Sequence, residues 1–194
     1  MAMSVQVSKL EQNILVELLP SDVGRWHYSI IAVARGYFPW LRGFAATAMK
    51  HKPYNFQWSS PQIELVTSEF RANAHYVMVY LRPQAVLPNA TFRVDFSFEL
   101  SPTWDSKRLR FYERIVNDAQ KTILSFKLPK GYKLRWANAA PDRIEEKEGH
   151  TILGWALTLQ GATYELDFTL APKKAVPEEE LEETGELELG EGEQ

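Results

Sequence analysis

Strict alternation of apolar and polar residues constrains this sequence more than any other feature. In Thr91–Leu100, the residues Phe92, Val94, Phe96, Phe98 and Leu100 fall on one face, and Arg93, Asp95, Ser97 and Glu99 on the other. A period of two is the period of a β-strand, because successive side chains point to opposite sides of the pleat. One apolar and one polar face predicts an antiparallel sheet that is wet on one side. Residues 163–170 repeat the design, with Tyr164, Leu166, Phe168 and Leu170 pointing in. In residues 151–159, Leu153, Trp155, Leu157 and Leu159 share a face.

The same reading predicts strands over residues 5–19 (with a bulge), 27–35, 62–70, 75–82, 109–116, 122–128 and 132–136. Residues 75–81 are apolar on both faces, as in a central strand or an interface. Turn signals such as Pro20-Ser21-Asp22, Pro129-Lys130-Gly131 and Gln160-Gly161 separate the runs. Many short strands with regular turns predict an all-β fold, a sandwich or a barrel. One sandwich, or two packed halves with a seam near residues 101–107, both stay open. Residues 36–61 break the pattern. They carry Trp40, Phe44, Tyr54, Phe56 and Trp58 without alternation and read as an aromatic-rich insertion capping one end of the core. Within them, residues 41–52 read as a short helix ended by Pro53.

Charge divides the chain at residue 172. Residues 1–172 hold 20 Lys and Arg against 16 Asp and Glu, a net of +4; residues 173–194 hold two Lys against nine Glu, a net of −7, and the two sum to the −3 of the whole. The acidic segment has no aromatic residue, so it offers little apolar surface to offset ordering entropy. It reads as a disordered tail on a β-sandwich body of residues 1–172. The tail either solubilises the body, screens its basic surface or docks a partner, with Leu181, Leu187 and Leu189 as anchors.

Residues 109–172 carry Leu128-Pro129-Lys130-Gly131, then Trp155 and Leu157 in alternation, and a final strand Tyr164, Leu166, Phe168, Leu170. In this order of strands and turns the segment resembles the immunoglobulin-like β-sandwich domains of archaeal and bacterial surface proteins, and in outline the sandwich domains of ribophorin-type proteins. The resemblance implies an immunoglobulin-like antiparallel β-sandwich acting as a scaffold or binding module, with no catalytic residues to carry over.

Several chemistries are excluded or unsupported. The chain has no cysteine, which removes disulfides, thiol catalysis and zinc–thiolate sites. Its four histidines, at 27, 51, 75 and 150, form no His-x-His or His-x3-His pair, so no metal site is expected. No Gly-x-Ser-x-Gly elbow and no glycine-rich phosphate loop occurs. No cofactor is expected. Residues 1–10 lack the apolar core of a signal peptide, and no uncharged apolar run approaches the roughly 18 residues of a membrane span. The expected compartment is therefore the cytoplasm, unless the chain is a trimmed piece of an extracytoplasmic protein.

Two surfaces remain as candidates. Arg108, Arg110 and Arg114 share a face with Tyr112, and Lys133 and Arg135 share a face of a second strand. If those strands pair, they make a basic face with an aromatic in it, suited to single-stranded nucleic acid or another anionic polymer. Trp40, Tyr54 and Trp58 are the candidates for an aromatic surface that stacks on carbohydrate. The function expected is a non-enzymatic binding or structural module that engages another macromolecule, through a protein partner or self-association, with the nucleic-acid and carbohydrate readings as alternatives.

Overall fold

The computed structural model describes residues 6–174. Those residues form thirteen strands and no helix. In chain order they are β1 (Gln6–Leu18), β2 (Gly24–Arg35), β3 (Gly43–Met49), β4 (Tyr54–Trp58), β5 (Ile63–Arg71), β6 (Ala74–Leu81) and β7 (Thr91–Leu100). β8 (Arg110–Val116), β9 (Ala119–Lys127), β10 (Tyr132–Ala137), β11 (Arg143–Lys147), β12 (His150–Leu157) and β13 (Thr163–Pro172) follow. The acidic segment expected to be a tail lies outside the described residues, apart from Lys173 and Lys174.

Seven strands make one sheet in the order β11-β12-β9-β1-β2-β7-β4. Its register follows from the apolar alternation, since a slip of one residue would turn every apolar side chain to solvent. Trp155, Leu124, Ile14, Tyr28 and Phe96 stand opposite one another across five strands, and so do Leu153, Phe126, Val16, Trp26 and Phe98. All ten are buried. Full burial of each such side chain contributes on the order of 1.5–3 kcal/mol. The parallel β1–β9 pair joins the two halves of the chain into this one sheet.

Two three-stranded sheets, β3-β6-β5 and β10-β13-β8, cover the inner face side by side. Phe44 of β3 meets Phe92 of β7 edge-on at 5.7 Å. Phe111 of β8 and Phe168 of β13 meet Phe126 of β9 at 4.6 and 5.0 Å. β6 is the central strand of its sheet, as its two-sided apolar character predicts.

Two local expectations change. The segment expected as a helix within residues 41–52 contains strand β3, paired with β6. Ala45, Ala46 and Ala48 obscure the alternation, and a register shift between Ala45 and Thr47 changes its phase. Tertiary pairing overrides alanine's helix propensity here. Residues 36–61 also supply β4, so the segment contributes strands to two sheets.

Candidate functional site

The two covering sheets leave a cleft between them. β3 is the last strand of one sheet and β8 of the other, and each is paired with a strand on one side only among the described residues. Thr47 and Met49 line one wall, Arg110 and residues 112–116 the other, and Ile14, Trp26, Tyr28 and Leu124 of the seven-stranded sheet lie beneath. The cavity measures about 980 Å³, the upper end of the roughly 300–1,000 Å³ typical of ligand pockets.

A bulge in β1 closes one end. Gln12, Ile14, Val16 and Leu18 point inward at every second position. An uninterrupted strand would send Lys9 outward with Glu11 and Asn13. The register shift between Lys9 and Glu11 reverses the phase, so Lys9 is buried. Its ammonium donates to the carbonyl of Ala46 on β3 and lies 2.5 Å from Asp118 Oδ2, just after β8. Burial pushes the Lys9 pKa down, opposed by the charge and hydrogen bond of Asp118. Gln12, Thr122 and Asn117 extend the network. Asn117 donates to the carbonyls of Leu157 and Leu159 and accepts from the Thr122 hydroxyl at 2.7 Å. Beneath the cleft the Tyr28 hydroxyl is fully buried, which pushes its pKa well up.

The free edge of β8 offers backbone groups. Leu170 N donates to Leu109 O, so odd-numbered residues of β8 turn their polar groups toward β13 and even-numbered ones toward the cleft. Arg110 exchanges both hydrogen bonds with Asp105 at 2.9 and 3.1 Å, and Arg114 N donates to Glu113 Oε1. Tyr112 lies between them, on the cleft side.

Arg108, Arg110 and Arg114 all line this cleft. Arg110 is held in a two-pronged pair by Asp167, with Nε to Oδ1 at 2.9 Å and Nη2 to Oδ2 at 2.7 Å. That bond and the Asp167 charge raise the Arg110 pKa. Arg108 Nε lies 3.7 Å from Asp105, and Arg114 makes no ion pair among the described residues. Lys133 and Arg135 stand apart. The strands expected to pair do not, because β13 runs between β8 and β10, and its Asp167 and Glu165 accept from Arg110 and Tyr112. A shift in register between Leu134 and Trp136 also leaves Trp136 half exposed.

The aromatic candidates are likewise dispersed. Tyr54 and Trp58 sit on edge strand β4, each 38% exposed. Trp58 lines a shallower hollow of about 620 Å³ on the outer face of the large sheet, with Ser29, Ser97 and Ile152. Trp40 lies between β2 and β3 with the Arg42 guanidinium 5.8 Å over its ring.

Lys9, Gln12, Asn117, Asp118 and Thr122 were not among the candidates drawn from sequence. One signal existed: Gln12 is polar in phase with Ile14, Val16 and Leu18. Among the described residues no group of three or more His, Asp or Glu is placed to hold a metal ion.

No protein-family model and no curated protein matches the chain. Solved structures are similar in fold. The M1 zinc metallopeptidase from Deinococcus radiodurans superposes with a TM-score of 0.54 at 12% identity, over 84% of this chain and 42% of that one. A two-domain M1 zinc metallopeptidase mutant bound to L-tryptophan gives 0.51 at 13% identity, over 86% and 43%. This chain spans less than half the length of either, and the likeness is one of fold.

Proposed function

We propose that this chain is a non-enzymatic binding module that engages another macromolecule by taking an extended polypeptide segment between β3 and β8. One observation carries the reading: two strand edges that pair with no further strand among the described residues, apart from the Asp105–Arg110 bridge, face each other across a deep cleft with aromatic and aliphatic side chains beneath it. An added strand gains main-chain hydrogen bonds from an edge and selectivity from every second side chain. The immunoglobulin-like reading belongs to the same proposal, with β11-β12-β9 and β10-β13-β8 as its two layers. The metallopeptidase chains support a modular role, since the matching fold is less than half of each polypeptide there. Arg110 argues against an anionic polymer, because Asp167 already neutralises it.

The test is amide hydrogen exchange on the full chain with a capped peptide of alternating glutamate and leucine at millimolar concentration. The expected result is slowed exchange at Ala48, Tyr112 and Arg114, with no effect from the same peptide carrying a central proline. No slowing at those amides would sink the reading.

A further inference from the structure

We infer that the segment this cleft receives carries an uncharged carboxamide side chain, asparagine or glutamine, at the inward position nearest the closed end, with apolar inward positions after it. The inference rests on the strand-receiving reading above and names the class of segment taken.

The floor of the cleft is not uniform. Gln12 of β1 and Thr122 of β9 stand opposite one another at the closed end, and Ile14, Leu124 and Tyr28 form the next row. The walls run along the same strands. Phe111 at the start of β8 meets Phe126, Asn117 just past its end bonds Thr122, and the Ala46 carbonyl of β3 bonds Lys9. Inward side chains of an added strand recur every second residue, about 6.8 Å apart, which is the step from Gln12 to Ile14. The first therefore sits over an amide and the next over aliphatic and aromatic surface.

The polar groups under that first position are loosely held. Gln12 is buried and lines the cleft, yet its Nε2 reaches only Asp118 Oδ1 at 3.5 Å and Thr122 Oγ1 at 3.4 Å, and its Oε1 accepts from Lys9 at 3.3 Å. The buried Tyr28 hydroxyl reaches only Thr47 Oγ1, at 3.5 Å. Well-formed bonds span about 2.7–3.2 Å from a nitrogen donor and about 2.5–3.0 Å from a hydroxyl. Neighbours at the same end meet that standard, with Lys9 at 2.5 Å from Asp118 and Thr122 at 2.7 Å from Asn117. The bonding capacity left over thus belongs to Gln12, Tyr28 and Thr47. A carboxamide answers it from one group, offering an oxygen to the Gln12 amide and the Tyr28 hydroxyl and an N–H to the Thr47 oxygen.

Charge decides against an ionised side chain at this position. Lys9, the buried cation beside Gln12, is already bonded to Asp118 and to the Ala46 carbonyl. A carboxylate or ammonium would be desolvated there without a buried partner of its own. An aliphatic side chain would cover Gln12 and Tyr28 without completing their bonds.

The experiment is amide hydrogen exchange at Ala48 and Tyr112 of the full chain, titrated with capped five-residue peptides. Gln-Glu-Leu-Glu-Leu and Leu-Glu-Leu-Glu-Gln present the carboxamide in the two chain directions. Leu-Glu-Leu-Glu-Leu, and versions with glutamate in place of the glutamine, are the comparisons. One glutamine peptide is expected to protect both amides at about tenfold lower concentration than the leucine or glutamate peptides. That margin is expected to vanish in Gln12→Met, which keeps the length of the side chain, and in Tyr28→Phe, which deletes only the hydroxyl. Tyr28→Phe keeps the ring stacked on Phe96 and reads the same margin if Gln12→Met does not fold. Equal protection by the glutamine and leucine peptides overturns the inference and leaves the strand receptor standing. So does a glutamate peptide that matches glutamine, or a margin unchanged in the folded variants. Protection by none of the peptides takes both readings down together.

Discussion

Lys9 and Asp118, 109 residues apart in sequence, meet at 2.5 Å and hold the two halves of the chain together at the closed end of the cleft. The ammonium is buried, while the carboxylate side chain is 51% exposed. Asp118→Asn leaves Lys9 with a neutral partner. Removing one member of a fully buried pair costs roughly 3–5 kcal/mol; water at Asp118 reduces this to about 2 kcal/mol. Urea denaturation reads the loss. The Lys9→Met/Asp118→Asn double variant is expected to regain part of it, because no unpaired charge remains. A double variant less stable than Asp118→Asn alone would show that the ion pair is not the main term.

Phe126 is the hub of the second half. Its ring lies 4.6 Å from Phe111, 5.0 Å from Phe168 and 5.8 Å from Trp155. Phe126→Ala opens a cavity walled by other rings and by strands that cannot close in, so a loss of about 4 kcal/mol is expected. The same substitution at exposed Phe70 is expected to cost well under 1 kcal/mol. Similar losses at the two positions, measured by chemical denaturation, would contradict this account of the core.

Much of this fold is legible in the sequence where side chains alternate cleanly. β7 shows it best: every residue assigned inward, from Phe92 to Leu100, is buried. The cleft is not legible, for three physical reasons. Alanine gives little contrast between faces, which hides β3. A single-residue bulge reverses the phase at Lys9. Strand order is set by long-range pairing that period two does not encode, so nothing in residues 109–136 announces that β13 separates β8 from β10. The basic stripe Arg108, Arg110, Arg114 is visible in sequence, but the carboxylate that neutralises Arg110 arrives from 57 residues away.

Glu17 sets an acid limit on stability. Burial pushes its carboxyl up, but His27 at 2.8 Å and Lys127 at 3.3 Å more than offset this and hold it below its ordinary value of 4.5. A carboxylate whose folded pKa is depressed stabilises the fold above its unfolded pKa and loses that contribution as pH falls through the folded one. Asp167, beside Arg110, behaves in the same way. Stability is therefore expected to decline as pH drops below about 4.5, and Glu17→Gln to make that decline shallower. Thermal melts between pH 3 and 7 test this; an unchanged acid slope in the variant would remove Glu17 from the account.

An oligonucleotide is expected to bind weakly or not at all, with little dependence on salt. The positive charges that would contact phosphates are divided between two strands with β13 between them, and Arg110 is already paired. Fluorescence anisotropy at low and physiological salt decides it. Affinity falling steeply with salt, and further weakened by Arg114→Ala, would restore the nucleic-acid reading.

Gly24 is required by its neighbour rather than by its own backbone. A Cβ there would overlap the side chain of Thr103. Thr103 cannot easily turn away, because its hydroxyl accepts from Trp26 Nε1 at 3.0 Å and donates to the Leu100 carbonyl at 2.9 Å. Moving it leaves a buried indole N–H without its acceptor. Gly24→Ala is therefore expected to destabilise the protein by about 2–3 kcal/mol, the combined scale of overpacking and a broken buried hydrogen bond. Thr103→Gly, which also removes the Cβ that would crowd position 24, should relieve the overlap while still orphaning the indole, so the Gly24→Ala/Thr103→Gly double variant is expected to be less damaged than the sum of the two single changes. Strict additivity in denaturant titrations would mean the two side chains do not compete for the same space.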